Sequence, residues 1–153
     1  MKLTFNIVGL LLVVTLLLSC SNDGHDSNHN HAEEVDSALN SSQSILTGMT
    51  LNDGQKWMMD EHTRDSFSTM ASSFLSTDHA SLNNDHLKSI GLNLQGDVDN
   101  LIQACTMQEE AHAQLHIFLT GFIPAVNDLA DNGQLENAQT VAHYLDKYDQ
   151  YFQ

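Results

Sequence analysis

One proline and eight glycines in 153 residues leave few enforced breaks, and 41% hydrophobic residues are too many for a disordered or Pro/Gly-rich chain. Aromatic residues reach only 7%, which argues against a strand-rich domain and for a helical one. Basic residues are scarcer still. Five Lys plus Arg against twenty Asp plus Glu give a net charge of −15, which excludes a surface that displaces counterions from nucleic acid. The chain holds only two cysteines, Cys20 and Cys105. It contains no G-x-S-x-G, Walker A, G-x-G-x-x-G or C-x-x-C motif and no assignable Ser/His/Asp set. No enzymatic activity is expected, and the length suits one domain.

What is present begins with a targeting segment. Met1-Lys2 supplies a positive charge, residues 3–18 form an almost unbroken apolar run, and Leu17-Leu18-Ser19-Cys20 ends it with a small residue before a cysteine. The run is short for a spanning helix, which needs about 20 residues, and reads as a secretory signal. It resembles the lipobox of bacterial lipoproteins. The resemblance implies cleavage after residue 19 and a Cys20 acylated as the first mature residue, inserting into a lipid bilayer of the cell envelope. It further implies attachment to the outer membrane, facing the periplasm or the cell surface. The alternative is an uncleaved anchor with an incidental cysteine. Loss of residues 1–19 removes Lys2 and leaves four basic against twenty acidic residues, or −16. Acylation would leave Cys105 as the single thiol in an oxidising compartment, with no intramolecular disulfide to form.

Residues 20–50, rich in Ser, Asn, Asp and His, lack apolar periodicity and read as a disordered tether. Ser21-Asn22-Asp23 loosely resembles the acidic export signals of surface lipoproteins in Bacteroidetes-type bacteria. His25, His29 and His31 lie among Asp23, Asp26, Glu33 and Glu34, a composition that either chelates Zn²⁺ or Cu²⁺ weakly or is merely polar.

Residues 51–153 carry apolar residues at steps of three and four, which predicts four helices. The first spans about 53–75, with Asn52 and Gln55 spaced as a capping pair, Trp57, Phe67, Ala71 and Phe74 on its stripe, and Arg64 as a misfit there. The second spans about 80–104, with Leu87, Ile90, Leu94, Val98 and Leu101 on one face. Gly91 and Gly96 in it cost about 1 kcal/mol each relative to Ala, or else permit close packing. Thr106-x-x-Glu109 has capping-box spacing and opens a third helix to about 131, stopped by Gly133. Its stripe is Ala111, Leu115, Phe118, Phe122, Val126 and Leu129, and Pro124 predicts a kink near Gly121. The fourth spans about 134–151, with Ala138, Val141, Leu145, Tyr148 and Phe152 in phase. Short connections make neighbours antiparallel, so the expected fold is an all-α, up-down-up-down four-helix bundle.

That topology gathers soft ligands at one end. The first helix brings Met58, Met59 and His62, the corner between the second and third brings Cys105 and Met107, and the third brings His112 and His116. His112 and His116 are four residues apart on one face. A rise of about 1.5 Å per residue lets His62 and His116 lie level. Thiolate, thioether and imidazole together favour Cu(I), with Zn²⁺ second. Against this, methionines at helical positions are ordinary core filler, a histidine flanking a stripe is usually a surface residue, and a single cysteine is usually a small buried hydrophobe. Glu109-x-x-His112 is a lone E-x-x-H, whereas a di-iron bundle needs two.

Leu51-Asn52-Asp53-Gly54-Gln55-Lys56-Trp57, with Cys105-Thr106-Met107, Ala111-His112 and Leu115-His116, resembles a set of uncharacterised small helical lipoproteins of Bacteroidetes-type bacteria. Glu109-Glu110 stands where they carry a glycine before the alanine–histidine pair, which implies a more acidic and differently shaped corner. The resemblance implies fold and location and no activity. Three functions stand as expectations. One is a lipid-anchored protein that buffers, senses or delivers a transition-metal ion, most simply copper, with a metal donor or acceptor protein as partner. Another is a metal-free acidic module docking a basic envelope partner. The third is a b-type haem bundle using Met58 or Met59 with His143, which resembles the cytochrome b562 kind.

Overall fold

Where each helix starts is decided by local hydrogen bonding as much as by apolar periodicity. The structure, a computed structural model, describes residues 46–153, all within one compact unit. Among the described residues four α-helices follow one another: α1 (Glu61–Leu75), α2 (Asn84–Ala104), α3 (Glu109–Asn132) and α4 (Leu135–Lys147). Single 3₁₀ turns at His79–Ser81 and Tyr148–Gln150 precede α2 and follow α4. Among the described residues there is no strand beyond isolated bridges, and no helix is long and apolar enough to cross a membrane. Helix α2 packs against α3, α3 against α4, and α1 against both α2 and α4, a four-helix bundle around one core.

The first helix is shorter than its periodicity suggests. Asn52 and Gln55 do not cap it. They exchange two backbone hydrogen bonds of 2.9 Å across Asp53 and Gly54, both of which have positive φ (50° and 84°). An Asp-Gly pair favours this tight turn, in which both central residues are left-handed, and here it outweighs the capping-like spacing. The chain then runs extended to Asp60, the true N-cap, whose carboxylate accepts from the Thr63 N–H at 2.7 Å. Trp57 lies beside Phe152 in the C-terminal tail. Its N–H donates to the Tyr151 carbonyl (2.7 Å), and the Gln153 N–H donates to its carbonyl (2.9 Å). The α-helix itself ends at Lys147, but a 3₁₀ turn and a right-handed Tyr151 carry helical backbone to the predicted end near residue 151, and the bridge to Trp57 follows at Phe152.

The other ends follow the same logic. Asn83 caps α2 by accepting from the His86 N–H at 2.9 Å, so that the helix begins at Asn84, four residues beyond the expected start. Thr106 makes no capping box with Glu109, because Glu109 adopts a left-handed φ of 54° and the Thr106 N–H and hydroxyl are both given to Asp60. Gly133 ends α3 as expected, with φ 60° and its N–H donated to the Leu129 carbonyl.

The core is built from the inward stripes of the helices, with Ala138, Val141, Tyr144 and Leu145 supplied by α4. Thr63, Phe67, Met70, Ala71 and Phe74 face inward from α1, with Arg64 turned out to Asp65. Leu87, Gly91, Leu94, Val98 and Leu101 do so from α2, and Leu115, Phe118, Phe122, Val126 and Leu129 from α3. Phe67, Phe118, Phe122, Tyr144 and Phe152 stand ring against ring at 5.5 to 6.2 Å in tilted and edge-on pairs, a geometry that adds to their burial. Leu46 and Met49 also pack on the core, and the Thr50 N–H donates to Gln114 Oε1 at 2.9 Å. The packed domain thus reaches into the stretch read as tether.

Candidate functional site

On α3 a step of four residues stacks two imidazoles on one face, and the structure brings His112 and His116 together. Their ring centroids lie 4.5 Å apart at 24°, and the two Nε2 atoms are 2.6 Å apart. The other nitrogen of His112, Nδ1, is 2.6 Å from the backbone carbonyl of Met107. That carbonyl can only accept, so Nδ1–H donates to it and Nε2 of a neutral His112 carries the lone pair. A backbone partner behind the ring is the usual way a metal-binding imidazole is held in its ligating tautomer. His112 is half-buried and His116 exposed, so ions reach the pair from solvent.

The remaining residues of the expected cluster are distributed differently. Met107 joins through its carbonyl, while its side chain is buried in the core. Met59 is likewise core, 5% exposed, and its N–H donates to the Gln153 carbonyl. Cys105 is a free, half-buried thiol packed against the core. His62 lines a groove between α1 and α2, with Nε2 3.5 Å from Ser66 Oγ. Among the described residues, no group of three His, Cys, Asp or Glu side chains is arranged to hold one metal ion. The pair stands without the third ligand that Cys105 or His62 was expected to add. Cys20 and the tether histidines His25, His29 and His31 lie outside the described residues.

The pair fits an imidazole-binding ion with a small adjustment. Two nitrogens at about 2.0–2.1 Å from a tetrahedral zinc are roughly 3.3 Å apart. The 2.6 Å seen here is a hydrogen-bond distance, so holding an ion between the two nitrogens would require the pair to open, as by rotation of the exposed His116 ring. The residues suggested for haem do not fit it. Met58 is 63% exposed, Met59 is locked in the core, and the aromatic cluster fills the interior that a macrocycle needs. His143 is half-buried, with an Nε2 that has no hydrogen-bond partner.

Two features were not foreseen. Asp60 ties the α2–α3 corner to α1. Partial burial by itself raises its carboxyl, but hydrogen bonds from Thr63 and Thr106 outweigh that and hold it at about 2. Beside it lies the α1–α2 groove, a volume of about 710 Å³ lined by Asp60, Glu61, Asp65 and Asp97 with His62. An acidic residue directly before the Glu61-His62-Thr63 run was the available sign of the cap, whereas Thr106 lies 46 positions away. No protein-family model, curated protein or solved structure matches the chain.

Proposed function

We propose that this protein is a lipid-anchored component of a bacterial envelope that binds a transition-metal ion at His112 and His116, for buffering, sensing or delivery rather than for catalysis. The observation that carries the reading is the His112 ring, fixed through Nδ1 on the Met107 carbonyl so that Nε2 is presented to His116. Imidazole suits copper and zinc alike. A preference for Cu(I) requires sulfur ligands. With Met59 and Met107 packed in the core, that preference weakens and zinc becomes an equal candidate. When bound, the ion would be held by the two Nε2 atoms.

The anchor reading rests on Leu17-Leu18-Ser19-Cys20, whose acylated cysteine would insert in the outer membrane. The bundle is read as up-down-up-down. Gly91 lies against Ala130, and Gln95 Nε2 donates to Asn127 Oδ1 at 2.8 Å, so rising numbers on α2 meet falling numbers on α3.

A second reading is favoured by the groove beside Asp60. No Lys or Arg stands among its carboxylates, which suits docking of a basic envelope partner. Elemental analysis of the protein purified from its native membrane separates the two. Near-stoichiometric copper or zinc supports the first reading, and a metal-free protein the second. Cys20→Ser should move the protein out of the membrane fraction. A variant that stays there and keeps residues 1–19 would support the uncleaved anchor.

A further inference from the structure

The two histidines of the pair are not equivalent. In the neutral pair His112 keeps its proton on Nδ1, where the Met107 carbonyl accepts it, and its Nε2 is the lone-pair nitrogen. At 2.6 Å from that lone pair, His116 Nε2 is the donor, so His116 carries its proton on the nitrogen that an ion would need. His116 is exposed, and its Nδ1 can take a proton from water.

We infer that His112 and His116 form an asymmetric two-nitrogen chelate for a borderline divalent cation of the Zn²⁺ class, with His112 a fixed ligand and His116 a ligand that binds by changing tautomer. This rests on the metal-binding reading above. On binding, the His116 Nε2 proton leaves to solvent, a solvent proton joins Nδ1, and the freed Nε2 lone pair forms the bond to the ion. The exchange releases no net proton and changes no oxidation state. Both donors are imidazoles, a donor type that suits a borderline divalent ion. No third His, Cys, Asp or Glu joins them among the described residues, so a tetrahedral ion keeps two positions for water or for a donor from outside the domain. Such an ion is exchangeable rather than sealed in.

The test uses the full chain in detergent with His25→Asn, His29→Asn and His31→Asn, so that the tether histidines take no metal. Histidine side chains labelled with ¹⁵N are followed by two-bond ¹H–¹⁵N spectra at about pH 8, where free imidazoles are neutral, during titration with Zn²⁺ alone. The expected result is a metal-free protein with His112 as the Nδ1–H and His116 as the Nε2–H tautomer. One Zn²⁺ per chain should then convert His116 to Nδ1–H and leave His112 unchanged. His112→Ala or His116→Ala should each lower Zn²⁺ affinity at least about tenfold. The inference is overturned if metal-free His112 is the Nε2–H tautomer, or if Zn²⁺ binds without changing His116. It is also overturned if half an ion binds per chain, because a second copy then completes the site. Absence of any Zn²⁺ binding overturns the inference, and absence of copper binding as well overturns the metal-binding reading itself.

Discussion

Asp60 reaches from the first turn of α1 to Thr106 in the α2–α3 corner, accepting its backbone N–H at 2.7 Å and its hydroxyl at 3.1 Å. The same carboxylate caps α1 through the Thr63 N–H, so one side chain sets the start of one helix and the approach to another. The corner it holds carries Met107, and the Met107 carbonyl in turn orients His112. The candidate site is thereby tied to α1 without any ligand coming from α1.

Asp60→Ala should therefore cost about 1–2 kcal/mol of stability, the range for loss of an N-cap, read from chemical denaturation. The pH dependence has a definite sign. A carboxyl held at about 2 in the folded protein against an ordinary 3.8 binds its proton more readily when unfolded. Its contribution is complete above about pH 4 and disappears as pH falls towards 2. Asp60→Asn keeps an acceptor for the cap and lacks this loss, so the difference between the two proteins should shrink across that window. Parallel curves would remove Asp60 from the account.

The two glycines of α2 should respond oppositely to alanine. A Cβ at Gly91 collides with the backbone of Leu129 and Ala130, atoms that cannot move aside, so Gly91→Ala should destabilise by about 1–3 kcal/mol. Nothing lies within 4 Å of a Cβ at Gly96, where Gly96→Ala should gain about 0.5–1 kcal/mol from helix propensity alone. Thermal melts of both variants, relative to the parent, check the pair. A neutral Gly91→Ala would contradict the close approach of α2 to α3 at Ala130.

Sequence alone does not separate these two glycines, and the reason is general to this fold. Periodicity reports which face of a helix is apolar, and that much was legible: the expected stripes of α2 and α3 are buried except that Ile90 and Ala111 are only half covered. Helix ends were less legible because local alternatives compete there. Asp53-Gly54 formed its own turn, and Thr106 found Asp60 instead of Glu109. For the site, the step from His112 to His116 sufficed to bring the rings together. Whether Cys105, His62 and Met59 point towards them depends on corner geometry that no spacing encodes. The structure gives Met59 to the core and His62 to the groove.

The C-terminal tail should matter beyond its length. Phe152 is 1% exposed, between the aromatic cluster and the segment carrying Trp57, and its neighbours Tyr151 and Gln153 bond to that segment. Phe152→Ala should cost about 3–5 kcal/mol, as for other fully buried aromatics. Removal of residues 151–153 should cost at least as much and weaken hydrogen-exchange protection at the Trp57 and Met59 amides. Unchanged protection after the truncation would show that the tail is not what holds this segment.

The central claim, that His112 and His116 together bind a transition-metal ion, is tested most directly by competition titration. The full chain carrying His25→Asn, His29→Asn and His31→Asn is titrated with Zn²⁺, and separately with copper, against a chelator of known affinity. The His112→Ala/His116→Ala double variant is measured alongside. The account predicts an affinity tighter than about micromolar, near −8 kcal/mol, for at least one of the ions, lost by at least about a hundredfold in the double variant while its helical circular dichroism is retained. Equal affinities in the two proteins, or no binding tighter than micromolar by either, would contradict it.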